Sequence, residues 1–284
     1  MVADQLGQPA ELVFISTEGD ENMAPLARIG GAGVFVSAVR DALLDGRVDL
    51  AVHSMKDLPT APAEGIMLAC SPVREDPRDV LCARDGLTLD TLPEGARVGT
   101  GSARRAAQLL AARPDLKVEG LRGNIDTRLS KVIGVGENGE LDAIVLAAAG
   151  LSRADRRQHI TEFLDPTVML PAPAQGALAV ECLVSAREES AAQAAAALHD
   201  PITHACTRAE RAFLNTLEAG CTAPVAAYAT VADGQLTLDG LAIAVDGSRR
   251  ASGRVSGTVE EAVELGRGLA RELLAEGAAD LIRS

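Results

Sequence analysis

The stretch VDLAVHSMKDLP, residues Val48–Pro59, joins an apolar run to a lysine and an aspartate that stand beside a proline. The apolar run predicts a strand, which places Lys56 and Asp57 at the strand's carboxyl end. Open α/β sheets bind ligands at the carboxyl ends of their strands, so Asp57 is a candidate catalytic carboxylate. The alternative is that the charged pair only solvates a turn, as such residues beside proline often do. The rest of the chain has to decide.

Length and composition limit the classes of protein that fit. With 284 residues the chain has room for two or three domains, and 47% hydrophobic with 24% charged residues is typical of a globular protein. The formal net charge of −13 argues against a polyanion as partner, because non-specific binding to DNA requires many cations on the protein. We therefore expect no nucleic-acid partner.

The cysteines, the histidines and the N-terminus bear on metals and location. Cysteines at positions 70, 82, 182, 206 and 221 form no CxxC pair, and the four histidines have no ligand spacing, so we expect neither a metal site nor a disulfide framework. His53 is assigned to local structure. The first residues do not resemble a signal peptide, and no apolar run could span a bilayer. These features predict a cytoplasmic protein that does not interact with membranes.

The order of the elements predicts an α/β fold. Before the opening stretch, Leu12–Ile15 is predicted as a strand, residues 17–33 as a long glycine-rich loop and candidate lid, and Phe35–Leu44 as a helix. A strand, a helix and a strand in this order imply parallel pairing.

Two proline-rich segments, Ser71–Asp79 and Leu170–Gly176, are interpreted as crossings between two domains, an arrangement that permits hinge closure over a ligand. The similar runs Val48–Val52 and Leu141–Leu146 indicate that the two domains are alike. In a third unit, Asp233-Gly234 predicts a hairpin turn between two strands, and helices are predicted over 201–218 and 259–275. The predicted boundaries are 1–73 with 175–195 for domain 1, 74–174 for domain 2 and 196–284 for domain 3.

Arginines collect in the second unit at places where a predicted strand passes into a loop or helix: Arg104, Arg105, Arg122, Arg128 and Arg153. A guanidinium binds carboxylates or phosphates with two hydrogen bonds, and a helix N-terminus also favours anions. Several arginines at one cleft therefore indicate a ligand with several carboxylates or phosphates. The alternative is that each arginine only decorates a helix end.

Two further features are open to more than one interpretation. The loop Gly99–Ser102 lacks the ending of a nucleotide-binding loop and is better interpreted as a short anion-binding nest. Cys221 lies between a glycine and a threonine after a predicted helix, where its thiol is either a nucleophile or attachment point, or idle.

Taken in order, the segments VHSMKDLP, REDPRDVL, VGTGSARRAAQL, LRGNIDTRL, AGLSR, PAPAQGALAVE and ERAFLNTLEAGCTAP resemble the porphobilinogen deaminase, or hydroxymethylbilane synthase, family. The resemblance extends from about Thr17 to the C-terminus. It implies an α/β enzyme with two similar, doubly wound domains, like those of periplasmic binding proteins, joined by hinge segments. A smaller α+β C-terminal domain with an antiparallel sheet completes it. The implied reaction joins four porphobilinogen units into hydroxymethylbilane and releases ammonia, on the route to tetrapyrroles such as haem.

The resemblance also implies roles for individual residues. A dipyrromethane cofactor is held by a thioether to Cys221, and Asp57 assists the loss of ammonia and stabilises the cation that forms. Lys56 should bias Asp57 toward its ionised form. Gln175 is expected at the hinge. The residues implied to bind the cofactor and the growing chain, besides Cys221, are Ser54, Lys56, Thr100, Ser102, Arg104, Arg105, Arg122, Arg128, Arg153 and Gln175.

The sequence departs from the family pattern in two places. Family members begin with a strand and a helix carrying Arg-x-Ser-x-Leu-Ala-x-x-Gln, whereas Met1–Leu6 resembles only the tail of that helix. From a truncation or a misassigned start we expect a gap in the first sheet, unpaired backbone groups and weak stability or activity. In the loop, Ala32 replaces the lysine of the usual Gly-Gly-Lys-Gly, and Arg28 is a candidate replacement for its charge.

Three alternatives to an active deaminase remain at this point. They are a non-catalytic hinged protein that binds a polycarboxylate, an inactive truncated form of the enzyme, and a nucleotide-using transferase built on Gly99–Arg105. The expected partner is the small-molecule substrate porphobilinogen. We expect a monomer, with a transient handover of the product to the next enzyme of the pathway.

Overall fold

The computed structural model describes residues 1–7, 9–16, 36–136, 139–219 and 223–283. The strands are β1 (Ala51–Ser54), β2 (Ile66–Cys70), β3 (Asp79–Ala83), β4 (Arg97–Gly99), β5 (Lys117–Glu119), β6 (Ala143–Ala147), β7 (Glu162–Phe163), β8 (Leu178–Leu183), β9 (Val225–Ala232), β10 (Gln235–Ile243) and β11 (Arg250–Thr258). The α-helices are α1 (Val2–Leu6), α2 (Ser37–Leu44), α3 (Ala103–Ala112), α4 (Ile125–Leu129), α5 (Ala148–Arg153), α6 (Ser190–Ala196), α7 (Pro201–Thr216), α8 (Ala262–Ala275) and α9 (Ala278–Arg283). Within these ranges no helix is both long enough and apolar enough to cross a bilayer. The predicted loop over 17–33, with Arg28 and Ala32, and the predicted attachment residue Cys221 lie outside the described residues.

The first sheet has the order β1-β8-β2, and β8 pairs antiparallel with both neighbours. The predicted strand Leu12–Ile15 is wrong, since residues 11–16 form no strand and the side chains of Leu12 and Phe14 are 80% and 90% exposed. The predicted parallel pairing with β1 is therefore wrong as well. An apolar run forms a strand only where a neighbouring strand and a buried face receive it. Among the described residues, β8 is the only strand paired with β1.

The second sheet has the order β5-β4-β6-β3-β7 and is covered on both faces. Strand β4 is parallel to β5 and β6, whereas β3 runs antiparallel to β6 and β7. Neighbouring residues of β6 pack on opposite sides, with Val145 and Leu109 in one core cluster and Ile144 and Leu151 in the other. Burial on both faces explains why the inner strand β6, and β3 after its first residue, are wholly apolar.

The third sheet is antiparallel, in the order β11-β10-β9, and α7 and α8 pack on one face. Asp233 and Gly234 connect β9 to β10 with φ values of 52° and 76°, as the predicted hairpin turn requires. Phe213 of α7 is fully buried in the core between helix and sheet. The predicted α/β fold with a C-terminal antiparallel sheet is confirmed.

The two segments that connect the first and second sheets lie side by side. The backbone N–H of Glu75 donates to the carbonyl of Gly176 over 3.2 Å, and the amide of Gln175 donates to the carbonyl of Pro77 over 2.8 Å. Gly176 has a φ of 89°, and a Cβ atom there would stand 2.6 Å from the carbonyl oxygen of Glu75. Only glycine fits this close approach of the two connections.

Candidate active site

Asp57 lies in a short turn that follows β1 directly. Met55–Asp57 form one turn of 3₁₀ helix, in which the N–H of Leu58 donates to the carbonyl of Met55 over 3.2 Å. Met55 and Leu58 are 3% and 6% exposed and pack in the same core cluster as Ala177. Because these two apolar side chains turn inward, Lys56 and Asp57 between them face the other way. We call residues 55–59 the Asp57 turn.

The Asp57 turn forms one wall of a cavity of about 210 Å³, here called the Asp57 cavity. The cavity brings together eight of the residues predicted from the sequence: Lys56, Asp57, Ser102, Arg104, Arg105, Arg122, Arg128 and Gln175. Five of these side chains are cationic, and Asp57 is the only carboxylate among the described lining residues. The cavity therefore suits a ligand that carries several negative charges.

Burial raises the pKa of Asp57 above its ordinary value, because a carboxylate loses hydration inside the cavity. Lys56, His53 and Arg128 act in the opposite direction, so the predicted influence of Lys56 is present but is outweighed. Burial likewise lowers the pKa of the Lys56 ammonium, while the charge of Asp57 raises it. Both charges of the pair thus depend on each other in a partly dehydrated site.

Behind the cavity, Asp79 pairs with two of the predicted arginines. Its side chain is fully buried, and its carboxylate lies 2.7 Å from Nη1 of Arg104 and 2.8 Å from Nη2 of Arg105. The amide of Gln175 donates to the same carboxylate over 3.0 Å. Burial alone would raise the pKa of Asp79, but Arg104 and Arg105 lower it to about 2. Asp79 is therefore ionised and neutralises part of the arginine cluster.

Arg128 of α4 and Arg122, which lies just before this helix, line one side of the cavity. Asn124 caps this helix by accepting from the N–H of Thr127 over 2.8 Å, and Nε of Arg128 donates to the carbonyl of Gly123 over 2.7 Å. Burial lowers the pKa of Arg128, and the nearby charges of Arg105 and Arg122 lower it further. A bound anion would relieve this repulsion between cations.

Other predicted site residues lie near the cavity but outside its lining. Thr100 is 5% exposed, and its hydroxyl accepts from the N–H of Ser102 over 3.2 Å. Arg153 donates to the carbonyl of Gly176 over 3.0 Å and so contacts the connecting segment. Ser54 ends β1 immediately before the Asp57 turn.

His53 is 6% exposed, lies outside the lining of the Asp57 cavity and belongs to a separate charged cluster. Its Nε2 lies 3.2 Å from Oε2 of Glu181, and the guanidinium of Arg40 donates twice to that carboxylate, over 2.9 and 2.7 Å. Burial alone would raise the pKa of Glu181, but Arg40 and His53 lower it to about 2. These contacts agree with the assignment of His53 to local structure.

Sequence reasoning missed Asp79, which the motif REDPRDVL had placed in a crossing between domains. A usable signal was its position at the start of the wholly buried strand β3, where an aspartate needs a cationic partner. Sequence reasoning also missed Glu210 and Arg211 of α7. No local pattern indicates that either residue contacts a distant part of the chain.

The comparisons with known proteins agree along almost the whole chain. The family model "Porphobilinogen deaminase, dipyromethane cofactor binding domain" matches residues 1–191, and "Porphobilinogen deaminase, C-terminal domain" matches residues 204–275. A porphobilinogen deaminase from Nocardia farcinica is 54% identical over 97% of this chain and 80% of the relative. The protein of the same name from Corynebacterium aurimucosum is 53% identical over 98% of this chain and 91% of the relative.

Proposed function

Because the chain belongs to the porphobilinogen deaminase family of transferases, we propose a role in that reaction for each side chain of the Asp57 cavity. The reaction joins four porphobilinogen units into hydroxymethylbilane with release of ammonia, in tetrapyrrole biosynthesis. It proceeds on a covalently bound dipyrromethane cofactor. Membership of this family decides against the two alternatives of a non-catalytic polycarboxylate-binding protein and a nucleotide-using transferase.

The observation that carries the proposal is the single carboxylate, Asp57, in a cavity whose charged lining is otherwise cationic. Positive charge develops on the substrate as ammonia leaves its aminomethyl group. A carboxylate facing that charge stabilises the transition state more than the ground state. In our proposal Asp57 acts in its ionised form, accepting hydrogen bonds from the pyrrole N–H and from the leaving amine.

The residues of the cavity fit a cofactor and a growing chain that carry acetate and propionate groups. Burial is the main cause of the lowered pKa of Arg128, but the charges of Arg105 and Arg122 lower it further, and carboxylates would neutralise this positive charge. We propose that Lys56, Ser102, Arg122 and Arg128 bind these carboxylates directly. When bound, the dipyrromethane supplies the pyrrole carbon to which the first substrate unit is joined.

Arg104 and Arg105 have a different role in this proposal, that of cations fixed in place beside the ligand. Their hydrogen bonds to Asp79 and to the carbonyls of Leu170 and Val145 fix both guanidiniums before any ligand arrives. A fixed cation needs no reorganisation when an anion binds beside it. Gln175 contacts both Asp79 and Lys56 and so connects the two charged groups. Ser54, Thr100 and Arg153 stay predicted cofactor contacts.

Cys221 is the proposed attachment point of the cofactor. The four cysteines of the described ranges support this choice, because all are buried and burial raises the pKa of Cys70 and Cys206 to about 11 and that of Cys82 to about 12. Such thiols are poor nucleophiles. Intact-mass measurement tests the assignment: the purified chain should exceed its sequence mass, Cys221→Ser should lose the excess, and the control Cys206→Ala should keep it.

Asp57→Asn tests the catalytic assignment. The amide keeps the shape of the side chain but not its charge, so turnover at saturating porphobilinogen should fall by roughly two to four orders of magnitude. The melting temperature and the cofactor mass excess should stay unchanged. Asp49→Asn, which removes an exposed carboxylate just before β1, is the matched control and should retain full ammonia release. Near-normal turnover of Asp57→Asn would remove Asp57 from the chemistry.

We further propose that the three sheets belong to three domains with the predicted boundaries, and that the protein works as a cytoplasmic monomer which hands its product to the next enzyme. The side-by-side connections between the first and second sheets support a hinge there. Buried free thiols in the described ranges suit a reducing compartment. Light scattering of the purified protein tests the monomer.

A further inference from the structure

A side chain from the third unit contacts the Asp57 turn from behind. Arg211 of α7 donates from Nη1 to the carbonyls of Leu58 and Met55, over 2.9 and 3.3 Å, and from Nη2 to the carbonyl of Pro59 over 2.6 Å. These three carbonyls stand on both sides of Asp57 in the sequence. One guanidinium thus binds the backbone before and after the proposed catalytic carboxylate.

Apart from Arg211, the turn is held at its start by the N–H of Met55, which donates to the carbonyl of Ala177 over 3.0 Å, and by the buried side chains of Met55 and Leu58. Its one internal hydrogen bond joins the N–H of Leu58 to the carbonyl of Met55, and carbonyls at the end of so short a helix lack partners within it. A guanidinium is planar and its donors have a fixed geometry, so carbonyls bound to it keep fixed relative positions. One turn further along α7, Asn215 accepts a hydrogen bond from the hydroxyl of Thr60 over 2.8 Å.

The backbone of Arg211 is held in place by the contacts of the residue before it. The preceding residue, Glu210, is fully buried and accepts two hydrogen bonds from Arg74, over 2.7 and 3.1 Å. The same carboxylate accepts from the backbone N–H groups of Ala174 and Ala229, over 2.5 and 2.8 Å. Helix α7 is thereby joined to both connecting segments and to the third sheet, so its next residue has little freedom to move.

We propose that Arg211 is a positioning residue that holds the carboxylate of Asp57 at the distance and angle that the departure of ammonia requires. This inference rests on the proposed catalytic role of Asp57. Arg211 is absent from the residues that line the Asp57 cavity, so it acts through the backbone of the turn and not on the ligand. Its loss should therefore lower kcat and leave KM for porphobilinogen nearly unchanged.

The first test compares Arg211→Met with Arg208→Met in the cofactor-loaded enzyme. Arg208 lies one turn earlier on α7, is exposed and makes no hydrogen bond to the Asp57 turn in the described part of the chain. A displacement of the order of 1 Å at a reacting group costs up to about 100-fold in rate, so kcat of Arg211→Met should fall roughly 10- to 100-fold. Cofactor loading by intact mass should be complete, and Arg208→Met should retain the kcat of the unaltered chain.

Arg211→Lys covers the case in which Arg211→Met does not fold. Lysine keeps the charge and most of the stem but reaches fewer carbonyls at fixed geometry, so its kcat should lie between those of the unaltered chain and Arg211→Met. A folded, loaded Arg211→Lys or Arg211→Met enzyme with unchanged kcat overturns the proposal. A rise in KM with kcat unchanged overturns it as well, because it would place Arg211 in substrate binding.

A double variant separates this proposal from the proposed function. If Arg211 acts through Asp57, Arg211→Met should not slow the residual reaction of Asp57→Asn any further. Independent, multiplying losses would overturn the positioning role while the catalytic role of Asp57 stands. If Asp57→Asn alone turns over normally, the proposed function fails, and the positioning role with it.

Discussion

Replacing Asp79 by asparagine should destabilise the protein by about 3 to 5 kcal/mol, because two buried guanidiniums would lose their counter-ion. Arg104 and Arg105 are 3% and 6% exposed, so the water of the adjoining cavity replaces the carboxylate only poorly. Asparagine has nearly the same volume, which keeps any cavity contribution small. The expected loss thus measures the charge together with the hydrogen bonds that the second carboxylate oxygen accepts.

The acid dependence of stability gives an independent magnitude. The pKa of Asp79 is lowered from 3.8 to about 2, which corresponds to roughly 2 kcal/mol of net stabilisation of the ionised carboxylate, the difference between the cost of burial and the gain from its partners. Because the folded pKa is the lower one, this contribution is present above pH 4 and is lost as the pH falls from about 4 toward 2. The stability difference between the unaltered chain and Asp79→Asn should therefore shrink over that interval.

The assay is urea denaturation followed by circular dichroism, at pH 7 and in steps down to pH 3. Asp76→Asn is the control, since Asp76 forms a partly exposed pair with Arg78 and its loss should cost at most about 1 kcal/mol. An Asp79→Asn variant within 1 kcal/mol of the unaltered chain at pH 7 would refute the reasoning. A difference that grew on acidification would contradict the lowered pKa.

Two further predictions concern the active site and the third unit. Lys56→Met removes a charge that lowers the pKa of Asp57, so the acid limb of the kcat profile should move to higher pH; an unmoved limb would show that Lys56 does not act on this carboxylate. Gly266→Ala should lower the melting temperature, because its Cβ would collide with the carbonyl of Ala209 on the packed helix α7, at a cost of about 1 to 3 kcal/mol. Gly268→Ala on the same helix has no atom within 4 Å and should raise stability by about 0.5 to 1 kcal/mol; equal effects of the two alanines would contradict the packing described for α8.

Local patterns predicted those parts of the fold that local physics decides. The turn at Asp233-Gly234 was predictable because a two-residue hairpin turn needs positive φ at both residues. Asp followed by Gly, placed between two predicted strands, supplies them. Helix α3 follows Ser102, whose hydroxyl caps it by accepting from the N–H of Arg105. In both cases the deciding residues are within four positions of each other.

Long-range pairing escaped prediction, for the same physical reason. Arg104 and Arg105 line the Asp57 cavity, but the sequence did not show that both also bind Asp79, some 25 residues away. The run Leu12–Ile15 has the composition of a strand, but nothing in its own residues shows whether a partner strand lies beside it. The grouping of cations around Asp57 was predictable only because each arginine comes shortly after a strand of the second sheet.

The order of strands in the first sheet has a consequence for biosynthesis. Strand β8 lies between β1 and β2, yet it leaves the ribosome more than 100 residues after them. At ordinary translation rates this interval is on the order of ten seconds, during which β8 is not yet available to pair with either earlier strand. The hydrogen bond from the N–H of Met55 is delayed as well, since its acceptor is the carbonyl of Ala177 just before β8. The nascent chain therefore completes the Asp57 turn only after the second sheet has been synthesised.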